Sequence, residues 1–240
     1  MNAIVVILRR NAFLTSRSAI LFHPAYLIRR ALYKAVREAA AGFRGAVLDF
    51  GCGSKPYRSL FTNVDSYVGV DIEQSGHDHK TSEVDVFYDG QHLPFDTASF
   101  DGVVAFEVFE HVFNLPEILG EIGRVLRPGG RLMFSVPFAW PEHEQPYDFA
   151  RYTSFGIHHV LEQAGYREVR IRKSNDSVRA IAQLGIAFLT DQAIPRLGVF
   201  SRPLKTAVVP VLNLTAVAMA AILPRRYDIY SNLIVEAVKP

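Results

Sequence analysis

Cysteine is the scarcest chemistry in this chain: Cys52 stands alone among 240 residues. No internal disulfide can form, which suits a reducing compartment, and the expected location is the cytoplasm. Charge imbalance is missing too, with Lys+Arg 26 against Asp+Glu 24. Glycine at 16 and proline at 13 are ordinary, which excludes collagen-like and low-complexity classes. A hydrophobic content of 49% excludes disorder throughout. No internal repeat is present. No secretory signal is expected, because Ala3–Leu8 is too short for its core and Arg9-Arg10 follow that run instead of preceding it. Nor is there a clean membrane span. The longest uncharged stretch, Thr206–Pro224, is long enough, but Pro210, Asn213 and Thr215 interrupt it. The length fits one large domain, or one domain with an appendage.

The balanced total hides a division along the chain. Residues 1–45 carry eight basic side chains and only Glu38 as an acid, residues 46–176 carry 20 acidic against 11 basic, and residues 177–240 carry seven basic against three acidic. An acidic middle repels phosphates, so no nucleic-acid partner is expected. The basic ends are also rich in Leu, Ile, Val, Phe and Ala. That mixture suits an anionic membrane surface, although the solvent faces of ordinary helices can share it.

Helical spacing of Leu27, Ile28, Ala31, Leu32, Ala35, Val36 and Ala39 predicts an amphipathic helix between Pro24 and Phe43. Short apolar runs bounded by turns then predict strands at 46–50, 67–72, 84–88, 101–106 and 131–136. A helix over 115–126 is expected to stop at Pro128-Gly129-Gly130. Thr153 reads as the N-cap of a helix ending at Gly165, followed by an edge strand at 166–172. A last strand is expected at 230–238, after an apolar insertion at 177–226. Strands alternating with helices imply an α/β fold, a mostly parallel sheet covered on both faces. In such sheets ligands bind beyond the carboxyl ends of the strands, so the chemistry should lie in the loops after residues 50, 72, 88, 106 and 136.

The first of these loops is Asp49-Phe50-Gly51-Cys52-Gly53-Ser54-Lys55-Pro56. A dinucleotide fingerprint needs a third glycine where Pro56 stands, and a pyrophosphate would face Asp49, Glu107 and Glu110. This disfavours a nicotinamide-dependent oxidoreductase. A cationic nucleoside such as S-adenosylmethionine reverses the electrostatics, and Gly51 and Gly53 permit close backbone approach. Asp71, at the end of the second strand, can accept both hydroxyls of a ribose. Asp89, after the third strand, can accept from an adenine amine.

Five motifs occur in order: Val47-Leu48-Asp49-Phe50-Gly51-Cys52-Gly53, Val68-Gly69-Val70-Asp71, Leu93-Pro94-Phe95 with Ser99-Phe100-Asp101, Glu110-His111-Val112, and Arg124-Val125-Leu126-Arg127-Pro128-Gly129-Gly130. In them the chain resembles a class I S-adenosylmethionine-dependent methyltransferase of the small-molecule group that includes quinone-biosynthesis enzymes. The resemblance covers about residues 46–173, with 230–238 similar to the family's antiparallel seventh strand. It implies a Rossmann-like three-layer sandwich with a seven-stranded, mostly parallel sheet. To this the chain adds an N-terminal helical extension at 1–45 and, within the 46–240 domain, the helical insertion before the last strand. One departure is Ser54-Lys55-Pro56-Tyr57, where many members have a third small residue. The implied cofactor contacts are Asp49, Gly51, Cys52 and Gly53 around the methionine moiety, Asp71 and Ile72 at the ribose, Asp89 and Gly90 at the adenine, and Phe106 and Glu107 at the amino group. Glu110 and His111 would sit beside the transferring methyl. Cys52 itself reads as a small packing residue.

On the acceptor side, residues 137–152 combine aromatic rings with His143, Asp148 and Arg151. His111 and His143 are the candidate general bases. Asp148 and Arg151 fit either a catalytic role or a clamp that fixes the loop. No metal site is expected: His77-Asp78-His79 would need further convergent ligands. The expected function is methyl transfer to a small-molecule acceptor, a hydroxyl of a sugar, glycan or lipid-linked precursor. The alternatives are C-methylation of a quinone-like lipid and a non-catalytic relative acting in assembly. The insertion at 177–226, with residues 1–45, reads as a lid, a dimer interface or a peripheral membrane contact.

Overall fold

The computed structural model describes residues 13–73 and 82–240. His77, Asp78, His79 and the run Ala3–Leu8 lie outside them. Within the described residues the chain forms two compact units. One comprises residues 35–138, 142–172 and 233–240, and the other comprises the described residues up to Lys34, 139–141 and 173–232.

The first unit is built on a seven-stranded sheet. Its strands are β1 (Ala46–Phe50), β2 (Ser66–Ile72), β3 (Val86–Tyr88), β4 (Phe100–Phe106), β5 (Leu126–Pro137), β6 (Arg167–Lys173) and β7 (Asn232–Val238), in the order β3-β2-β1-β4-β5-β7-β6. β1 to β5 are parallel neighbours, and the last strands run antiparallel. Val47, Leu48, Val70, Val103, Val104 and Phe134 are all buried, as strands covered on both faces require. The order reverses direction at β1 and β4, so their carboxyl ends open a crevice where a ligand can reach the sheet.

Helix α1 (Tyr26–Ala40) lies within the 24–43 stretch, and α2 (Leu115–Val125) buries Ile118, Leu119, Ile122 and Val125 on one face. α3 (Ser154–Gln163) starts at the expected cap: the Gly156 amide donates to Thr153 Oγ1 at 3.0 Å. Gly165 follows with φ +84° and ends it.

The Pro128-Gly129-Gly130 turn is a correction. β5 begins at Leu126, directly after α2, because Leu126 pairs with Phe100 while Arg131 already pairs with Gly102. The intervening residues bulge without breaking the strand. The Gly129 amide donates to Lys239 O, and the Lys239 amide donates to Gly130 O, both at 2.9 Å.

The second unit contains α4 (Ser177–Phe188) and α5 (Ser201–Ile222). Asp176 caps α4 by accepting from the Arg179 amide at 3.0 Å. Asn213, which interrupts the apolar stretch in the sequence, is fully buried, and its amide donates to the Ile20 and His23 carbonyls at 2.9 and 3.1 Å. Gln183 does the same for the Pro24 carbonyl at 2.9 Å and accepts from the Ile28 amide at 3.3 Å. Two buried amides thus tie the N-terminal segment to the insertion. Around them pack Tyr26, Leu27, Ile186 and Ala216.

Candidate cofactor pocket and acceptor-side cluster

The loop after β1 is fixed from below. A Cβ on Gly51, which has φ +66°, would stand 2.5 Å from Val108 Cγ1. Glycine is therefore required at 51 by packing as well as by conformation. Gly53, at φ +47°, has open space where a Cβ would point, and so does Gly90. Among the described residues these two positions leave bare backbone that a nucleoside could approach closely, and they define the candidate cradle.

Lys55, where the family often has a small residue, is 4% exposed. Its ammonium reaches Asp85, which also accepts the Gly69 amide at 2.7 Å. A Cβ on Gly69 would meet Cys52 Sγ at 2.6 Å. Cys52 is buried beneath the loop, and its thiol is pushed far above the ordinary range by burial and then by Asp49. It packs as an inert apolar side chain.

Three carboxylates surround this cradle. Asp49 is 3% exposed and accepts from the Tyr67 hydroxyl at 2.7 Å. Burial raises its carboxyl to about 7 despite Tyr67 and Lys55, which favour the charged form. Asp71, buried at the end of β2, accepts the Gly53 amide at 3.0 Å on Oδ2 and the Ile72 amide at 2.9 Å on Oδ1. One carboxylate thus joins the two loops, and among the described residues each oxygen accepts a single amide, which leaves it a further lone pair. Asp89 is exposed and uses Oδ1 to accept the Gln91 and His92 amides at 2.8 and 2.7 Å. Those two backbone bonds hold its carboxyl below the usual range.

After β4, Phe106 meets Tyr57 edge to face at 5.0 Å. Glu107 accepts from the Ser135 hydroxyl at 2.6 Å, and its backbone sits at φ +56°. A left-handed non-glycine residue costs about 1 kcal/mol or more, and such strain gathers at functional sites.

The following turn presents Glu110 and His111. Glu110 is completely buried at 0% exposure, and among the described residues neither of its carboxyl oxygens has a hydrogen-bond partner. Burial first, and the nearby Glu107 charge second, push its carboxyl well above the ordinary range. His111 Nδ1 lies 3.0 Å from the Tyr147 carbonyl, and its Nε2 is 3.8 Å from Glu110 Oε1 and 3.6 Å from Glu144 Oε2.

His143 stacks edge to face on His111 with ring centroids 4.8 Å apart, and its Nδ1 lies 3.2 Å from Asp148 Oδ2. Asp148 accepts both Arg151 guanidinium nitrogens, one of them at 2.6 Å, together with the His143 amide at 3.0 Å. Burial opposes ionisation of Asp148, yet Arg151 and the His143 amide outweigh it and hold the carboxyl at about 2. The loop is anchored further by the Phe149 and Ala150 amides, which donate to the Glu110 carbonyl at 2.8 and 3.2 Å.

All the predicted residues therefore gather at the carboxyl end of the sheet unit, in two groups. Asp49, Gly53 and Asp71 ring the cradle, with Gly90 beyond β3. His111, His143, Asp148 and Arg151 form the other group, with Phe106 and Glu107 at the end of β4. Sequence reasoning missed Lys55, Tyr67 and Glu144. A lone lysine inside an acidic loop was the available signal for Lys55. Nothing local pointed to Glu144.

Similarity to known proteins follows the same outline. Residues 48–134 match the methyltransferase domain family. O-methyltransferase cnsE of Penicillium expansum is 29% identical over 160 residues, 58% of each chain. O-methyltransferase rstn1 of Aspergillus nomiae is 31% identical over 169 residues, 61% of this chain and 75% of that one. This chain belongs to the class I S-adenosylmethionine-dependent methyltransferases. A methyltransferase of Archaeoglobus fulgidus shares the fold, with a TM-score of 0.54 at 19% identity over 97% of this chain and 99% of that one. The chain spans little more than half the length of cnsE.

S-adenosylmethionine is the cofactor of this methyltransferase family, and the residues present fit it. The open faces of Gly53 and Gly90 and the two free lone pairs of Asp71 match a nucleoside. The buried carboxyl of Asp49 matches a cation. Like this pocket, the acceptor-side cluster lies beyond the carboxyl ends of the strands, where ligands of the fold bind.

Proposed function

We propose that this methyltransferase transfers a methyl group to a hydroxyl of a small molecule, a sugar, a glycan or a lipid-linked precursor. The observation that carries it is the pairing of a carboxylate-ringed nucleoside cradle with a His111–His143 pair beyond the same strand ends. The name O-methyltransferase borne by both fungal relatives supports an oxygen acceptor. Bound S-adenosylmethionine would supply a methyl group on a sulfonium, a good leaving group open to in-line displacement. Asp71 would hold the ribose, Asp89 and Gly90 the adenine, and Asp49 and Glu107 the charged methionine end.

The work left to the chain is alignment, exclusion of water and removal of one proton. An acceptor hydroxyl gives its proton to the His111–His143 pair. Asp148, held ionised by Arg151, stabilises the resulting imidazolium through its approach to His143 Nδ1. Asp148 and Arg151 act as positioning residues in this scheme. Calorimetry with S-adenosylmethionine and its demethylated product is expected to show one saturable site. Labelled methyl should then reach oxygen acceptors in a substrate panel. Binding without transfer across that panel would favour the non-catalytic alternative, and absence of binding would remove the proposal.

The second unit favours a lipid-linked acceptor. It exposes Phe22, Val199, Phe200, Val211 and Ile222, and basic side chains outnumber acidic ones by eleven to three in its described residues. Apolar side chains set among cations suit an anionic bilayer surface. Sedimentation with vesicles containing phosphatidylserine is expected to carry the protein down at low salt and release it at high salt. Protein that stays in the supernatant at low salt would rule out this contact.

A further inference from the structure

We propose that Glu110, His111 and His143 form a binding site for a divalent transition-metal cation of the zinc class, with Glu144 beside it. One ligand atom from each of the first three lies within 4.8 Å of the other two. Glu110 is the decisive member. A carboxyl group with no solvent exposure and, among the described residues, no hydrogen bond to either oxygen is costly to bury unless it keeps its proton or a cation occupies its lone pairs.

His111 adds a separate constraint. Only a protonated Nδ1 can donate to the Tyr147 carbonyl, and in neutral imidazole this leaves Nε2 as a bare lone pair. That lone pair faces Glu110 Oε1 and Glu144 Oε2, which are also acceptors. A shared proton or a bound cation can satisfy such a cluster, and the metal titration below distinguishes them. A backbone carbonyl on the far nitrogen is the usual outer-shell partner of a metal-bound histidine, and Asp148 Oδ2 stands 3.2 Å from His143 Nδ1 without a hydrogen bond between them. Two imidazoles select the transition series over magnesium or calcium, and a set of two histidines with a carboxylate suits zinc with a position left open.

The site deepens the methyl-transfer proposal and rests on it for its purpose. An acceptor hydroxyl on the open position would lose its proton to solvent more readily, and the histidines would then hold the metal in place of that proton. The binding itself is testable without the cofactor.

The full chain, stripped with a chelator, is titrated with Zn²⁺ by calorimetry and followed by thermal unfolding. One equivalent should bind and raise the melting temperature, and Mg²⁺ should bind more weakly. Glu110→Gln and His143→Ala should each weaken Zn²⁺ binding by about tenfold or more. Glu110→Gln should also melt higher than wild type when both are metal-free, which shows that its lost binding is not lost folding. A His77→Ala, His79→Ala double variant should bind as wild type does. Absence of saturable binding, or binding untouched by Glu110→Gln and His143→Ala, overturns the site. Because these readouts need no methyl donor, they can fail while cofactor binding survives, and the reverse.

Discussion

Asp71→Ala is expected to weaken S-adenosylmethionine binding by a hundredfold or more. The wild-type carboxylate has a free lone pair on each oxygen for a ribose hydroxyl, and charge-assisted bonds contribute about 1.5–3 kcal/mol each. Losing two of them is worth about 3–6 kcal/mol, or about two to four decades in affinity. The substitution also strips the Gly53 and Ile72 amides of their acceptor. Asp71→Asn, which keeps one oxygen, should fall between the two. Calorimetry reads the affinities directly, and an alanine variant within threefold of wild type would show that the ribose lies elsewhere.

Asp49 gives the second large effect, through pH. Its carboxyl sits at about 7 in the fold against an ordinary 3.8, chiefly because it is buried, with Asp71 and Asp85 adding to the rise and Tyr67 and Lys55 opposing it. Between those two values the folded chain holds a proton that the unfolded chain has released. Stability therefore falls as pH rises through that window and levels off above pH 7, at a total cost of about 4 kcal/mol. Asp49→Asn should flatten the decline and raise the melting temperature at pH 8. Cofactor affinity should move the opposite way. A cation prefers the ionised carboxyl, so wild-type affinity should rise about tenfold from pH 6 to pH 8, with a proton released on binding, and the asparagine variant should lose that slope. A wild-type affinity that is flat across this range would show that Asp49 does not feel the cofactor's charge.

Much of this arrangement was legible in the sequence because it is local. An apolar run ended by glycine placed β1, a second apolar run placed β2, and Asp71 followed from its position at a strand end. The Thr153 cap needed only the three residues after it. What stayed hidden depends on chain folding over distance. The partner of Lys55 was out of sight, because only the left-handed backbone at 55 and the bare face of Gly69 let it turn inward to Asp85. Glu110 was visible as part of a motif, but no pattern announces that a carboxylate will be sealed from water without a partner. Glu144 meets His111 only because the intervening chain returns to the Glu110 carbonyl. The Pro128-Gly129-Gly130 segment misled because its turn-forming residues are used here for a bulge, held by Lys239 from the far end of the chain.

The two amides of Phe149 and Ala150 hung on the Glu110 carbonyl have an evolutionary consequence. Loops at strand ends ordinarily tolerate insertions and deletions, and substrate range commonly diversifies that way. Here a length change between His143 and Asp148 would drag the histidine pair out of register. On the proposed acceptor role, exchange of side chains within that stretch, at a fixed number of residues, is the expected route to a new acceptor.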